Sequence, residues 1–245
     1  MKTPVRVLLL GAKGRMGQAI AAAAEKSGAS IVAGLDVGDD ISSQIDNCDV
    51  VIDFSHSNGT SELCRACAKA KKPTVIGTTG HSTEELGLIH DLARTVPVVL
   101  SPNFSVGVNA LFWLTRKAAE MLGDSFDLEI LEAHHRLKKD SPSGTAKKLA
   151  EILCEVRGLD YQRDVRHGRE GLVGERQGNE IGMHSIRGGD VVGDHTVNFA
   201  GAGERLELTH KAASRETFAN GALRAANWII GKPARLYSME DVLGL

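Results

Sequence analysis

Five short apolar runs recur through the first hundred residues, with helix-patterned segments between them. VRVLLLG (5–11), SIVAGLD (30–36), CDVVIDFS (48–55), KPTVIGTTG (72–80) and VPVVLSPNF (96–104) have the length and composition of buried strands. RMGQAIAAAAEKSG (15–28), SELCRACAKAKK (61–72) and STEELGLIHDLARTV (82–96) carry the helical period. The last of these opens on an S-x-x-E capping pattern, and the first stops at a glycine. Strands that alternate with helices pair in parallel through right-handed crossovers. The fold class expected is therefore α/β, with a Rossmann-type doubly wound parallel sheet.

The pattern changes after residue 105. A helix over 108–123 leads to the strand DLEILEAHH (127–135), and residues 158–180 are polar, glycine-rich and without period, which predicts a mobile loop. IGMHSIR, VVGDHTVNFAG and ERLELTHKA (within 181–212) alternate at period two and predict an antiparallel hairpin and meander. A closing helix (215–231) is long enough to rejoin the first domain. The expected organisation is a dinucleotide-binding domain over 1–105, completed by 215–245. A second α+β domain with a mostly antiparallel sheet, 106–214, is inserted before that helix and is expected to bind substrate.

Charge and cysteine usage narrow the class of protein. A formal net charge of -2 argues against nucleic acid as a partner, and no run of about eighteen apolar residues is present to span a membrane. The N-terminus lacks the small-residue cleavage site of a signal peptide. Cys48, Cys64, Cys67 and Cys154 form no disulfide framework, and the C-x-x-C at 64–67 lies mid-helix without a second pair, so reduced thiols, no metal and a cytoplasmic protein are expected.

GAKGRMG (11–17) stands where the first strand meets the first helix. Glycines there let the backbone turn tightly against a pyrophosphate, and the helix start offers N–H groups and partial positive charge. The spacing is G-x-x-G-x-x-G, with Lys13 at the usual middle glycine. Asp36 closes the second strand, roughly twenty residues on, where a carboxylate accepts from ribose hydroxyls. Asp36 would repel a 2′-phosphate while Lys13 and Arg15 partly offset it, so NADH is expected and NADPH stays open. IDFS (52–55), GTTG (77–80) and SPNFS (101–105) end three further strands, where ligands of open α/β sheets lie. They are expected to wrap the nicotinamide half. Phe54 either packs on the ring or is a core residue.

EAHHRLKKDSPSGTA (132–146) concentrates titratable chemistry in one place. Neighbouring side chains on a strand point to opposite faces, so His134 and His135 meet one atom only if the strand bends. Pro142 and Gly144 break the chain before a helix, whose first N–H groups, those of Gly144 and Thr145, make a socket for a carboxylate or phosphate. Imidazoles, ammonium groups and an anion socket together suit a small acidic substrate, and a lysine or histidine there could deliver a proton while a nicotinamide delivers hydride.

In order along the chain, GAKGRMG, IDFS, VIGTTG, SPNFSVGVN, EAHHRLKKDSPSGTA and RGGDVVGDHTVNFAGAGERLELTHKAASRETFANGALRAANW resemble the motifs of the dihydrodipicolinate reductase (4-hydroxy-tetrahydrodipicolinate reductase) family, of the diaminopimelate route to lysine. The resemblance implies hydride transfer from NAD(P)H to C4 of a cyclic imine dicarboxylate. It makes His134 a proton donor or acceptor and Lys138 the proton donor, although Lys139 is not excluded. His135 and Thr79 would contact substrate, His135 through one carboxylate, and Gly144 with Thr145 would bind the other. Gly11, Ala12, Lys13, Gly14, Arg15, Met16, Asp36, Phe54, Gly77, Thr78, Thr79, Ser101, Pro102, Asn103 and Phe104 would hold the cofactor. Leu137 departs from the histidine that some members carry. The resemblance also implies a homotetramer through the second sheet and hinge closure of the two domains.

Arg187 and Arg215 are read as substrate contacts, hinge markers or salt-bridge partners, and His184, His195 and His210 as sheet or interface residues. Semialdehyde dehydrogenases need a catalytic cysteine at a loop or helix start, and homoserine dehydrogenases offer no match to HHRLKKDSPSGT. A rival of a different class is a non-enzymatic NAD(H) sensor on the same fold.

Overall fold

The computed structural model describes residues 3–245. Two compact units emerge, one of residues 3–106 with 215–245, the other of 107–214. The first begins β1 (Val5–Leu10), α1 (Arg15–Ala23), β2 (Ala29–Leu35), β3 (Val50–Asp53), α2 (Thr60–Ala70), β4 (Thr74–Ile76), α3 (Thr83–Ala93) and β5 (Val98–Leu100). α4 (Val106–Leu122), β6 (Asp127–His134), α5 (Gly144–Arg157), α6 (Tyr161–Asp164), β7 (Val165–His167), β8 (Ile181–Arg187), β9 (Gly193–Ala200) and β10 (Arg205–Ala212) follow. The chain then returns to the first unit as α7 (Glu216–Ile229), β11 (Leu236–Tyr237) and α8 (Met239–Leu243).

The first sheet runs β11-β5-β4-β3-β1-β2, all parallel. Strand pleating sends alternate residues to opposite faces. Val7 and Leu9 of β1 accordingly pack with Ile20 of α1 and Leu223 of α7, whereas Leu8 and Leu10 pack with Leu63 of α2 and Ile89 of α3. Both faces are covered, which is why these strands are apolar throughout. α1 is shorter than its sequence period suggests. It ends at Ala23, and a single 3₁₀ turn leads to Gly28 in the left-handed region. β11 is an edge strand of two residues, too short for any periodicity to announce.

The second sheet is mixed, with the order β10-β9-β6-β8-β7. β8 and β9 do not form the expected hairpin, because β6 lies between them, parallel to β8 and antiparallel to β9. The connection from β8 to β9 wraps the end of β6 instead: the His135 N–H donates to the Val191 carbonyl (2.7 Å) and the Gly188 N–H to the His134 carbonyl (3.0 Å). Residues 158–180 are also not a structureless loop. They contain α6 and β7, and two of their arginines are ties to the sheet. Arg169 reaches Glu129 and Glu180, and Arg176 reaches Asp127, Glu129 and the carbonyls of Leu128 and Glu180. Glu129 takes these arginines beside Gly182, its partner in register on β8, where an added Cβ would stand 1.8 Å from the carboxylate.

α4 and α5 cover one face of this sheet, burying Leu128, Ile130, Met183 and Phe199 against Leu111, Leu149 and Leu153. The opposite face carries Leu131, His184, Ile186, Thr196 and Asn198, of which Leu131 and Ile186 are exposed. Among the described residues no helix is long and apolar enough to cross a membrane, and no cluster of metal-ligating side chains occurs.

Two glycines should respond oppositely to alanine. A Cβ at Gly221 of α7 would lie 1.7 Å from the Phe104 carbonyl oxygen, whereas Gly87 of α3 faces open space. Gly221→Ala is expected to lower the stability of the first unit by about 2 kcal/mol or more through forced overpacking. Gly87→Ala should raise it by up to ~1 kcal/mol, the helix-propensity difference. Urea midpoints of the two variants check both signs.

Candidate active site

The nucleotide turn is built where β1 meets α1. Gly11 adopts φ +78°, and its N–H and that of Ala12 both donate to the Leu35 carbonyl at the end of β2 (2.8 and 3.2 Å). Gly14 is the extended N-cap of α1. A Cβ at Gly11 would fall 2.4 Å from the Phe54 carbonyl oxygen, and one at Gly17 2.2 Å from that of Gly11, so the turn exists only without side chains there. Lys13 and Arg15 are exposed, and Met16 packs on the first core. The Asp36 carboxylate accepts the Lys13 N–H (3.1 Å), while Asp39 accepts the N–H of Asp36 (2.9 Å). A cleft of about 430 Å³ opens beside them, its wall including Gly11, Asp36, Asp39, His56 and Glu62. A glycine cradle, a helix start and a carboxylate on the second strand fit a dinucleotide.

The next two turns are joined through Asp53, whose buried carboxylate accepts from the Ser55 N–H (3.0 Å) and the Thr78 hydroxyl (2.7 Å). The Phe54 ring lies directly over Gly77, where a Cβ would come within 2.2 Å of it, and is tilted against Phe104 with centroids 5.5 Å apart. Phe54 is thus partly buried and packed largely as a core residue. The Phe104 ring is buried in the first core, which leaves its backbone as the part a cofactor contact would use. Ser101 donates to the Asn103 carbonyl (2.8 Å) and shapes the third turn, while Pro102 and Thr79 are exposed.

In the second unit, β6 ends at His134, so the paired histidines straddle the strand end. His134 is buried and His135 half-buried. Glu132, two residues earlier and on the same face, is buried with its carboxylate 2.6 Å from His134 Nδ1. Arg187 at the end of β8 grips both oxygens of Glu132 (2.7 and 2.8 Å), and the Ser143 N–H adds a third donor (3.2 Å). Burial pushes the Glu132 carboxyl up, but Arg187, His134 and Ser185 outweigh it and hold it at about 2. His134 is lowered, because burial outweighs the pull of Glu132. His195 of β9 stands edge-on to His134 (centroids 5.1 Å), with Nε2 2.9 Å from the Ser143 hydroxyl. Burial, helped by His134, takes it down to about 3, so it is neutral.

Lys138 lies on the exit turn, largely enclosed, and donates to both oxygens of Asp140 (2.9 Å each). Lys139 is exposed, whereas Lys138 is near enough to His134 to disfavour its charged form. Arg187 also donates to the Asp140 carbonyl (2.8 Å). Ser143 caps α5 by accepting the Ala146 N–H, which leaves Gly144 and Thr145 as the first helical residues. The helix start and its capping serine thus share one polar cluster with His134.

Glu132, Ser143, His195 and Asp140 are the members that sequence reasoning missed. Glu132 was findable, since E-x-H on a strand puts both side chains on one face. Arg187, read as one of three things, is a salt-bridge partner. His184 is bonded to Glu129 (2.7 Å), and the His210 ring occupies the space above Gly107. The four cysteines are free and buried; burial pushes Cys64 to about 11 and Cys67 to about 12, which makes them poor nucleophiles.

Comparison with known proteins agrees over almost the whole chain. The family profile described as dihydrodipicolinate reductase, N-terminus, matches residues 5–104, and that described as dihydrodipicolinate reductase, C-terminus, matches 107–243. The chain is 56% identical over 242 residues to a 4-hydroxy-tetrahydrodipicolinate reductase of Akkermansia muciniphila, covering 98% of each. It is 44% identical over 264 residues to the same enzyme of Geobacter metallireducens, covering 98% of this chain and 99% of that one. Among solved structures it is similar to a dipicolinate-bound dihydrodipicolinate reductase from a Paenisporosarcina species. That likeness has a TM-score of 0.75 at 26% identity and covers 96% of this chain and 97% of that one. A glycine-cradled nucleotide turn on one sheet, a histidine–lysine cluster at a helix start on another, and matches spanning both therefore lead to one statement: the chain belongs to the dihydrodipicolinate reductase family.

Proposed function

We propose that the chain is a 4-hydroxy-tetrahydrodipicolinate reductase, an oxidoreductase that uses a nicotinamide cofactor in diaminopimelate and lysine biosynthesis, acting in the cytoplasm. The observation that carries the reading is the cluster of His134, Lys138 and the first turn of α5. It offers two proton carriers and an anion socket in a chain 56% identical to a protein of that name. A reduced nicotinamide held by the glycine turn and Asp36 would supply a hydride for C4 of the ring once the 4-hydroxyl has left as water. As electrons move toward the ring nitrogen, the neighbouring carbon takes up a proton. Lys138 donates that proton, and its ammonium stabilises the negative charge that develops on the ring. His134 exchanges protons with the reacting ring. Gly144 and Thr145 hold one carboxylate at the start of α5, and His135 takes the other. The three strand-end turns of the first unit position the nicotinamide.

NADH is the preferred donor in this reading. Asp36, Asp39 and Glu62 put three carboxylates around the cleft, and a 2′-phosphate would be repelled there. Lys13 and Arg15, both exposed, offset part of that repulsion, so NADPH is used less well. The uncovered face of the second sheet, with Leu131 and Ile186 exposed, supports a homotetramer formed through it.

Turnover is measured as loss of nicotinamide absorbance, with substrate generated in place by the preceding synthase from pyruvate and aspartate semialdehyde. Wild type should turn over, and Lys138→Ala should lose about 100-fold or more in kcat while binding NADH unchanged. Pyridine-2,6-dicarboxylate should bind the NADH complex. NADH binding without turnover or dicarboxylate binding would instead favour the redox-sensor reading.

Asp36→Ser should shift the NADH to NADPH ratio of kcat/KM toward NADPH by about tenfold, the equivalent of ~1.4 kcal/mol. Steady-state kinetics with both donors check it. Leu131→Asp combined with Ile186→Asp should shift the assembly toward smaller species in sedimentation velocity, and an unchanged profile would remove this face from the contact.

A further inference from the structure

Glu132 carries a charge with a fully enclosed side chain, and the reaction as described gives it no role. Its surroundings leave little freedom. One oxygen accepts from Arg187 Nη2 (2.7 Å) and the Ser143 N–H (3.2 Å); the other accepts from Arg187 Nη1 (2.8 Å) and faces His134 Nδ1 (2.6 Å). A guanidinium and a backbone amide can only donate, and an ionised carboxylate can only accept. Ser185 also meets the carboxylate through its side chain, and His134 Nδ1, at 2.6 Å from an oxygen that can only accept, must then carry a hydrogen. With Nδ1 protonated, the basic atom of the neutral ring is Nε2, which looks toward Gly193, where an added Cβ would lie 3.0 Å away.

We propose, resting on the reductase reading above, that Glu132 is a positioning residue that fixes His134 in its Nδ1–H form, so that protons cross through Nε2 alone. Arg187 completes the device, since a carboxylate gripped at both oxygens by a guanidinium does not take the proton itself. The groups facing His134 are Glu132 on its own strand, Lys138 on the exit turn, Arg187 at the end of β8 and His195 on β9. Glu132 is the anion among them and favours the imidazolium, whereas burial, Lys138 and Arg187 disfavour it. Arg187 has a second duty, because its hydrogen bond to the Asp140 carbonyl steadies the residue that grips Lys138. One arginine thus supports the partners of both proton carriers.

The test uses the full chain labelled with ¹⁵N-histidine, the His134 signals being identified by their absence in His134→Gln. The expected wild-type spectrum shows Nδ1 protonated and Nε2 unprotonated when the ring is neutral. Glu132→Gln should lower kcat about 100-fold or more while KM for the ring substrate stays within about threefold, because a mis-set tautomer affects proton transfer and not binding. Without the carboxylate the imidazolium is less stable, so the acidic limb of the kcat profile should move to lower pH. Glu132→Asp should restore part of the rate. A wild-type ring protonated at Nε2, or a Gln variant with near-normal kcat and an unmoved acidic limb, would overturn the proposal. If the Gln variant does not fold, the wild-type tautomer decides alone. Absence of wild-type turnover would remove the reductase reading, while an Nδ1–H signal would still sustain the assignment of the ring.

Discussion

A carboxylate placed in a protein interior must have its lone pairs met by donors, and Glu132 organises the second unit around that requirement. Its partners come from three directions: Arg187 from the end of β8, the Ser143 N–H from the cap of α5, and His134 from its own strand. β6 lies between β8 and β9, which brings the end of β8 beside Glu132. The β8–β9 connection then closes over the exit of β6 with backbone hydrogen bonds of its own. Removing one partner of such a buried pair leaves a stranded charge, at a cost of roughly 3–5 kcal/mol. The same contacts that satisfy this charge also orient the imidazole, so stability and chemistry in this cluster rest on one set of bonds.

The first unit meets a different constraint, the closeness of backbones. Gly11 lies against the carbonyl of Phe54, Gly17 against Gly11, Gly77 under the Phe54 ring and Gly221 against Phe104. A missing Cβ at each point lets the nucleotide turn, two strand ends and the returning helix approach to distances that any side chain would forbid. The cleft beside Asp36 borders this close packing.

Much of this was legible in the sequence because local periods decide local structure. Strand length, glycine stops and the S-x-x-E cap announce the parallel sheet, and the cap is present as a full capping box at Ser82 and Glu85. Period two in 181–212 identifies strands but is blind to which strand lies beside which, so the insertion of β6 between β8 and β9 could not be read. The arginines of 158–180 suggested solvent, yet their partners Glu129 and Asp127 lie more than thirty residues away in sequence. Arg187 and Glu132 are separated by 55 residues, and only the parallel pairing of β6 with β8 brings them together. Phe104 adds a point that its position in a motif turn does not announce: its ring faces the core and supports the turn from beneath.

Glu129 and Gly182 sit opposite each other on β6 and β8, and the carboxylate fills the volume that a Cβ at 182 would need. The two positions are therefore coupled in evolution. A side chain acquired at 182 pushes the flexible end of Glu129 aside, and the loss falls on Arg169, Arg176 and His184 together, the partners that the carboxylate holds.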